Sequence, residues 1–391
     1  MGELIKYLKD PRFYVPVLFL VGFEAFMQTG IYRKILEPDS YAYNVNRAVR
    51  IMRESKVRPD ILILGTSVAY QGVQIKTLNE KWLSKAGLAA QNAASEGAKL
   101  GTQHLIYKAV KKDLPRAKVV LHVSEVTFPW TARRSMDQPN RSMAAQFPRG
   151  MVFDHLKAYD AELSPGDYSF FWVRSLTYQK DLRKFILDPP WRFKKIKRRE
   201  RKFHPDYVHI NSSLYGMDAY PAKDLRDCVE VARKAAGRIP RDKNGKRMSD
   251  EHHRNAVETT CRIGLSDPRD EPGSDQWVRL YFKRLKVFYD EIHRDGRRVI
   301  VLFPPYSDLV RDLNHDSRVA FWKKHLARIC GPNRCPVMDM RRVLDGPENA
   351  SYYYDTIHLN RKGAEKFTDI LAPRLLREPA VRALLKNKSA Q

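Results

Sequence analysis

The sequence predicts an α/β protein: a parallel sheet with helices packed on it, an apolar helix in front and a large insertion in the middle. Three observations predict this. Apolar runs of strand length alternate with segments of helical periodicity in the first and last thirds of the chain, and such alternation implies parallel βαβ units. From about Thr127 to Asp275 the rhythm is lost. Phe13 to about Tyr32 reads FYVPVLFLVGFEAFMQTGIY, close to the ~20 residues that cross a bilayer.

Each element can be justified in turn. Lys6, Lys9 and Arg12 precede the apolar stretch and no Ala-x-Ala cleavage site follows it, so a retained signal-anchor helix is expected over residues 1–37. Glu24, Pro16, Gly22, Arg33 and Lys34 stand against that reading, and a hydrophobic helix packed on the domain is the alternative. Residues 38–130 form the first part of the domain. Ser40 to Lys56 is amphipathic; Pro59-Asp60 introduces the strand ILILG; a helix near Gln74 to Ala86, a short strand into Gln91-Asn92-Ala93, a helix from about Ala98 to Lys112 and the strand KVVLHVS follow. Residues 131–274 are an insertion or cap rich in Pro, Arg and aromatic residues. Residues 275–391 resume the alternation: a helix around Trp277 to Arg294, the strand RRVIVLF, a helix near Val319 to Ala327, a strand at Pro336 to Met340 and a terminal helix from about Lys362 to Leu376.

With 391 residues, 43% of them hydrophobic, the chain can bury a full core. The 71 Lys and Arg against 45 Asp and Glu give a formal charge of +26, which suits an acidic partner: nucleic acid, anionic lipid or an anionic polymer. No RRM, zinc-finger or Walker A signature supports nucleic acid. The run Trp191 to Lys202 is the densest basic cluster; it either faces an anionic polymer or headgroups, or is a solvated face. None of Cys228, Cys261, Cys330 and Cys335 has zinc-site spacing. Cys330 and Cys335 bracket a turn-like stretch, so these two are expected to pair and Cys228 to pair with Cys261, given an oxidising compartment. His204 with His209, and His252 with His253, fit no strong metal template, and no metal or cofactor is expected.

Two segments carry chemistry. Asp60 to Ala69 places Ser67 where a buried strand turns into a helix, exposing its hydroxyl at the carboxyl edge of the sheet, where open α/β sheets bind ligands; there its backbone N–H also faces an oxyanion. By itself this more readily describes a helix-capping serine. Far along the chain, Asp355-Thr356-Ile357-His358 precedes the last helix. A carboxylate three residues before an imidazole can accept one ring N–H and leave the other nitrogen to take a serine proton. Asp339, at a strand end, is the rival acid. Tyr352 to Tyr354 either pack this loop or line an acyl pocket.

Together these segments resemble the SGNH (GDSL-like) hydrolase family, with its Gly-Asp-Ser block after the first strand and its C-terminal Asp-x-x-His block. Here the blocks are Gly65-Thr66-Ser67, with Thr in place of Asp, and Asp355 to His358. The oxyanion glycine block resembles Asn92-Ala93-Ala94-Ser95-Glu96-Gly97, making the N–H of Gly97 the second donor. The Gly-x-Asn block is missing; Ser124-Glu125 stands in its place, so either Ser124 substitutes or the hole rests on backbone amides alone. These departures and the N-terminal helix make the chain look like the extracytoplasmic branch of the DltD and AlgJ/AlgX type. The resemblance covers roughly residues 58–130 and 275–375. It implies a three-layer α/β/α domain of flavodoxin-like order and a Ser67–His358–Asp355 triad in a periplasmic or extracellular acyltransferase or esterase. Its acyl groups would sit on an envelope glycan or polymer, and a membrane-bound acyl-export partner would supply them. A plain carbohydrate or lipid esterase and a non-catalytic polymer-binding scaffold remain alternatives, and a basic cytoplasmic nucleic-acid binder is a third.

Overall fold

A computed structural model describes residues 10–38, 40–201, 204–208, 224–234, 250–310, 316–331 and 333–389. Its centre is a five-stranded, all-parallel sheet in the order β2-β1-β3-β4-β5. The strands are β1 (Ile61–Leu64), β2 (Ala90–Asn92), β3 (Val119–Val123), β4 (Arg298–Phe303) and β5 (Val337–Asp339). β1 and β3 are buried along their whole length and β4 at all but Arg298. This explains why they read as continuous apolar runs: a parallel sheet covered on both faces has no solvent side on which polar residues could alternate.

The helices include α1 (Pro11–Gln28), α2 (Tyr41–Glu54), α3 (Ser67–Gly72) and α4 (Leu100–Val110). In the insertion, besides the helices Gln138–Ala144 and Arg149–Ala158, come α5 (Pro165–Trp172), α6 (Arg174–Thr177), α7 (Gln179–Leu187), α8 (Pro189–Glu200), α9 (Leu225–Lys234) and α10 (Asp250–Leu265). After it come α11 (Ser274–Arg294), α12 (Asp316–Cys330) and α13 (Arg361–Arg377). The expected helix over residues 74–86 is instead three short pieces, with a π-type segment at Leu78–Leu83. On the other side of the sheet order, Trp322 of α12 is fully buried among the rings of Tyr281, Phe282 and Phe303, at 5.3–5.4 Å, and its indole N–H donates to Val126 O.

The insertion's described secondary structure is all helical, joined by loops, and it shares the sheet's core. Met143, Phe147, Leu156, Phe171, Tyr178 and Leu182 belong to the same buried cluster as β1 and β3. Both expected disulfides are present: Cys228–Cys261 joins α9 to α10, and Cys330–Cys335 closes the turn after α12.

The N-terminal expectation needs correction. α1 covers 18 residues, is capped by Asp10 and carries Arg12, Pro16 and Glu24, and among the described residues no helix is long and apolar enough to cross a membrane. The polar residues that lower its hydropathy have structural employment. Glu24 accepts from the N–H groups of Arg174 and Ser175 and from the Ser175 hydroxyl, at 2.7–3.0 Å, so it fastens α1 to α6.

Candidate active site

The parallel sheet directs the residues after β1, β2, β3 and β4 to one edge, and the loop before α13 closes over it. After β1, Gly65 sits so close to its surroundings that a Cβ would stand 2.6 Å from Ala69 Cβ and 3.0 Å from Val123 O. Thr66 then takes the capping position of α3, its hydroxyl accepting from Val68 N. The helix is therefore capped by the residue before the serine, and the Ser67 hydroxyl is left for other work.

That hydroxyl meets His358. Ser67 Oγ lies 2.7 Å from His358 Nε2, and His358 Nδ1 lies 2.7 Å from Asp355 Oδ2. With Nδ1–H donating to the carboxylate, Nε2 is left as the acceptor for the serine proton. Asp355 is held in turn: its Oδ1 accepts from the backbone N–H of Ile357 (2.9 Å) and of His358 (2.8 Å). The loop itself is a tight return, with Tyr354 N donating to His358 O, Asn360 N donating to Tyr352 O and a bridge between Tyr353 and Leu359. Tyr352, Tyr353 and Tyr354 are all buried, which places them as the packing of this loop. Asn360 caps α13 through Gly363 N, and Gly363 lies where a Cβ would meet Tyr352 O at 2.1 Å. From the insertion, Thr260 Oγ1 of α10 accepts from Thr356 N.

Electrostatics favour a protonatable base. Burial pulls the His358 pKa down, but Asp355 beside it, with Glu96 and Glu125 further off, outweighs burial and holds it above the ordinary imidazole value. Glu125 follows β3 and accepts from the Thr66 hydroxyl at 3.3 Å. Its burial pushes its pKa up to about 7 against the opposing pull of His358 and Thr66. Glu96 is bound by Gln71 Nε2 (2.7 Å) and Asn44 Nδ2 (3.3 Å). Tyr306, from the loop after β4, is buried against Val68 and Ile357, and among the described residues its hydroxyl has no hydrogen-bond partner.

The remaining sequence candidates divide. Gly97 adopts φ +68° with Tyr41 pressed against it, a Cβ falling 2.8 Å from Tyr41 Cε1, so the position requires glycine. Asn92 is a strut: its side chain donates to Ala69 O (2.9 Å) and accepts from Ala94 N (3.0 Å), binding the loop after β2 to α3. Ser124 is not brought to Ser67; its N–H donates to Leu302 O and its hydroxyl faces Tyr281 OH at 3.4 Å in the core. Asp339 pairs with Arg341 at 2.7 Å, not with His358. His204 accepts from Asp206 N through its ring, while Lys202 and His209 lie outside the described residues, as do the side chains of His252 and His253. Among the described residues no cluster of His, Cys, Asp and Glu is arranged to hold a metal ion. Glu125, Glu96 and Tyr306 were not singled out by sequence reasoning as site residues; the one available signal was Glu125 standing where the Gly-x-Asn block is expected.

No family model matches this chain, and no curated protein matches it.

Proposed function

We propose that the chain is a serine acyltransferase or esterase of SGNH type, acting outside the cytoplasm on the O-acyl groups of an envelope glycan or polymer. The hydrogen-bonded line Ser67–His358–Asp355 is the observation that carries this reading. In the first step His358 Nε2 takes the Ser67 proton as Oγ attacks the ester carbonyl. The tetrahedral oxyanion is received by the backbone N–H groups of Ser67 and Gly97. Collapse breaks the ester bond, and His358 returns the proton to the departing alcohol. In the second step a sugar hydroxyl or water, deprotonated by His358, attacks the Ser67 acyl ester and regenerates the serine.

Three further observations support the setting. The sheet order is the flavodoxin-like one. Two disulfides with no cysteine left over suit an oxidising compartment. The exposed apolar α1 suits attachment at a membrane, where an acyl-export partner would deliver the donor. The test is labelling with a fluorophosphonate serine probe: the intact protein is expected to label and Ser67→Ala to lose the label. Equal labelling of the two would remove Ser67 from the mechanism.

A further inference from the structure

Among the described residues, every large hydrophobic side chain that stands exposed, apart from Ile263 and Leu265, falls in one of two stretches, 13–41 and 168–193. The first is α1 and its continuation. Pro11 to Gly22 are all exposed, and Leu18, Phe19, Leu20 and Val21 are 61–69% exposed. Its exposed residues 13–22 are apolar on every face and call for an apolar cover, while Arg12 and Glu24 leave the helix short of a membrane span. A lipid boundary in which the helix lies supplies that cover.

The second stretch is the string of helices α5–α8. Its Trp172, Leu176, Ile186, Leu187, Trp191 and Phe193 are 44–73% exposed. The helices that carry them converge on the root of α1. Gln28 Nε2 donates to Trp172 O at 3.2 Å, and Glu24 holds the start of α6. Asp181 of α7 accepts from Glu37 N, and Arg192 of α8, fully buried, donates to Ile35 O and Glu37. Both apolar stretches thus meet at one short segment, residues 24–37.

Charge selects the kind of lipid. Lys180, Arg183, Lys184, Lys194, Lys197 and Arg198 are exposed among these side chains, against exposed Asp188 and Glu200. Tryptophan and cationic side chains together are the composition of a membrane–water boundary, and cations of this density favour anionic headgroups. We infer that α5–α8 form a second membrane-contacting element, a foot that seats its exposed aromatic and aliphatic side chains in the headgroup–acyl boundary of an anionic leaflet around α1. The inference goes beyond the acyl-transfer reading and stands whether or not Ser67 reacts.

The full chain reconstituted in vesicles of phosphatidylcholine with about one third phosphatidylglycerol, both brominated on their acyl chains, tests it by tryptophan fluorescence. α1 contains no tryptophan, so attachment through α1 alone is read separately by flotation. Quenching of the floated protein is expected, and the double variant Trp172→Phe/Trp191→Phe is expected to lose most of it. Both side chains are exposed, so folding is spared. Lys194→Gln/Lys197→Gln/Arg198→Gln is expected to reduce the quenching several-fold, as is replacing phosphatidylglycerol by phosphatidylcholine. Floated protein with the same quenching in the double variant, or with none in the intact chain, overturns the inference. So does a foot shielded by a second copy, seen as doubled mass with unquenched tryptophans, or a chain that fails to float.

Discussion

A serine hydroxyl is a poor nucleophile until a base removes its proton, and in the proposed reaction His358 Nε2, 2.7 Å from Ser67 Oγ, is that base. Asp355→Asn keeps a side chain able to accept from the Ile357 and His358 amides, but it weakens the hold on the imidazole tautomer. Turnover of an ester substrate is expected to fall roughly a thousandfold or more with little change in melting temperature. Glu125 gives a sharper test. Its carboxylate raises the His358 pKa, and the acid limb of activity follows deprotonation of His358. Glu125 itself titrates at about 7, so its charge acts on His358 only in the fraction that is ionised; Glu125→Gln removes that fraction, and the acid limb of the kcat/KM profile is expected to move slightly to lower pH, a limb that moves up contradicting the coupling. Ser67, Asp355 and His358 were legible because each motif is local, one at a strand end and one within a single turn. Glu96, Glu125 and Tyr306 were not, since their relevance comes from separate loops meeting over one sheet edge. Ser124 misled for the opposite reason: it has the right place in the chain, but the β3–β4 ladder extends through its N–H and turns the hydroxyl toward Tyr281.

Elements hold the triad in register. α13 carries the His358 loop, and Gly363 lets its first turn lie against Tyr352 O. Gly363→Ala is expected to destabilise the protein by about 3 kcal/mol, because backbone cannot yield as a flexible side chain would; a thermal melt checks this. On the other side, α9 and α10 are joined by Cys228–Cys261, a separation of 33 residues, for which loop closure contributes about 4 kcal/mol. Because α10 also touches the triad loop through Thr260, Cys228→Ser/Cys261→Ser is expected to lower both the melting temperature and kcat, more than Cys330→Ser/Cys335→Ser with its separation of only 5 residues. The strands and the long helices α11 and α13 were readable from periodicity to within a few residues. The broken helical pieces after α3 were not; the π-type segment at Leu78–Leu83 carries Asn79, whose side chain both donates to Ala90 O and accepts from Ala90 N at the start of β2, a contact that leaves no periodic pattern.

At the scale of the whole molecule the same sequence features take on different meanings. Glu24 reads in the sequence as a cost to a membrane anchor, and in the structure it is the clasp between α1 and the insertion. Glu24→Ala is expected to cost about 2 kcal/mol, from the loss of several charge-assisted hydrogen bonds, and to loosen α5–α8 from α1, seen as faster amide exchange in those helices while ester turnover is retained. The insertion read as a break in rhythm because its helices are short. Their packing partners are the sheet core and the 24–37 segment, contacts too distant in sequence to leave a local pattern. Likewise the charge of +26 makes an acidic partner an expectation without pointing to a place on the fold.

The central claim is that Ser67 carries an acyl group between donor and acceptor. Brief incubation with an activated ester such as p-nitrophenyl acetate, acid quenching and peptide mass mapping measure this directly. One added acyl group is expected, on the peptide containing Ser67, absent from Ser67→Ala and far slower to form in His358→Ala. Ester turnover that persists in Ser67→Ala, with the acyl group on another residue or on none, would contradict it.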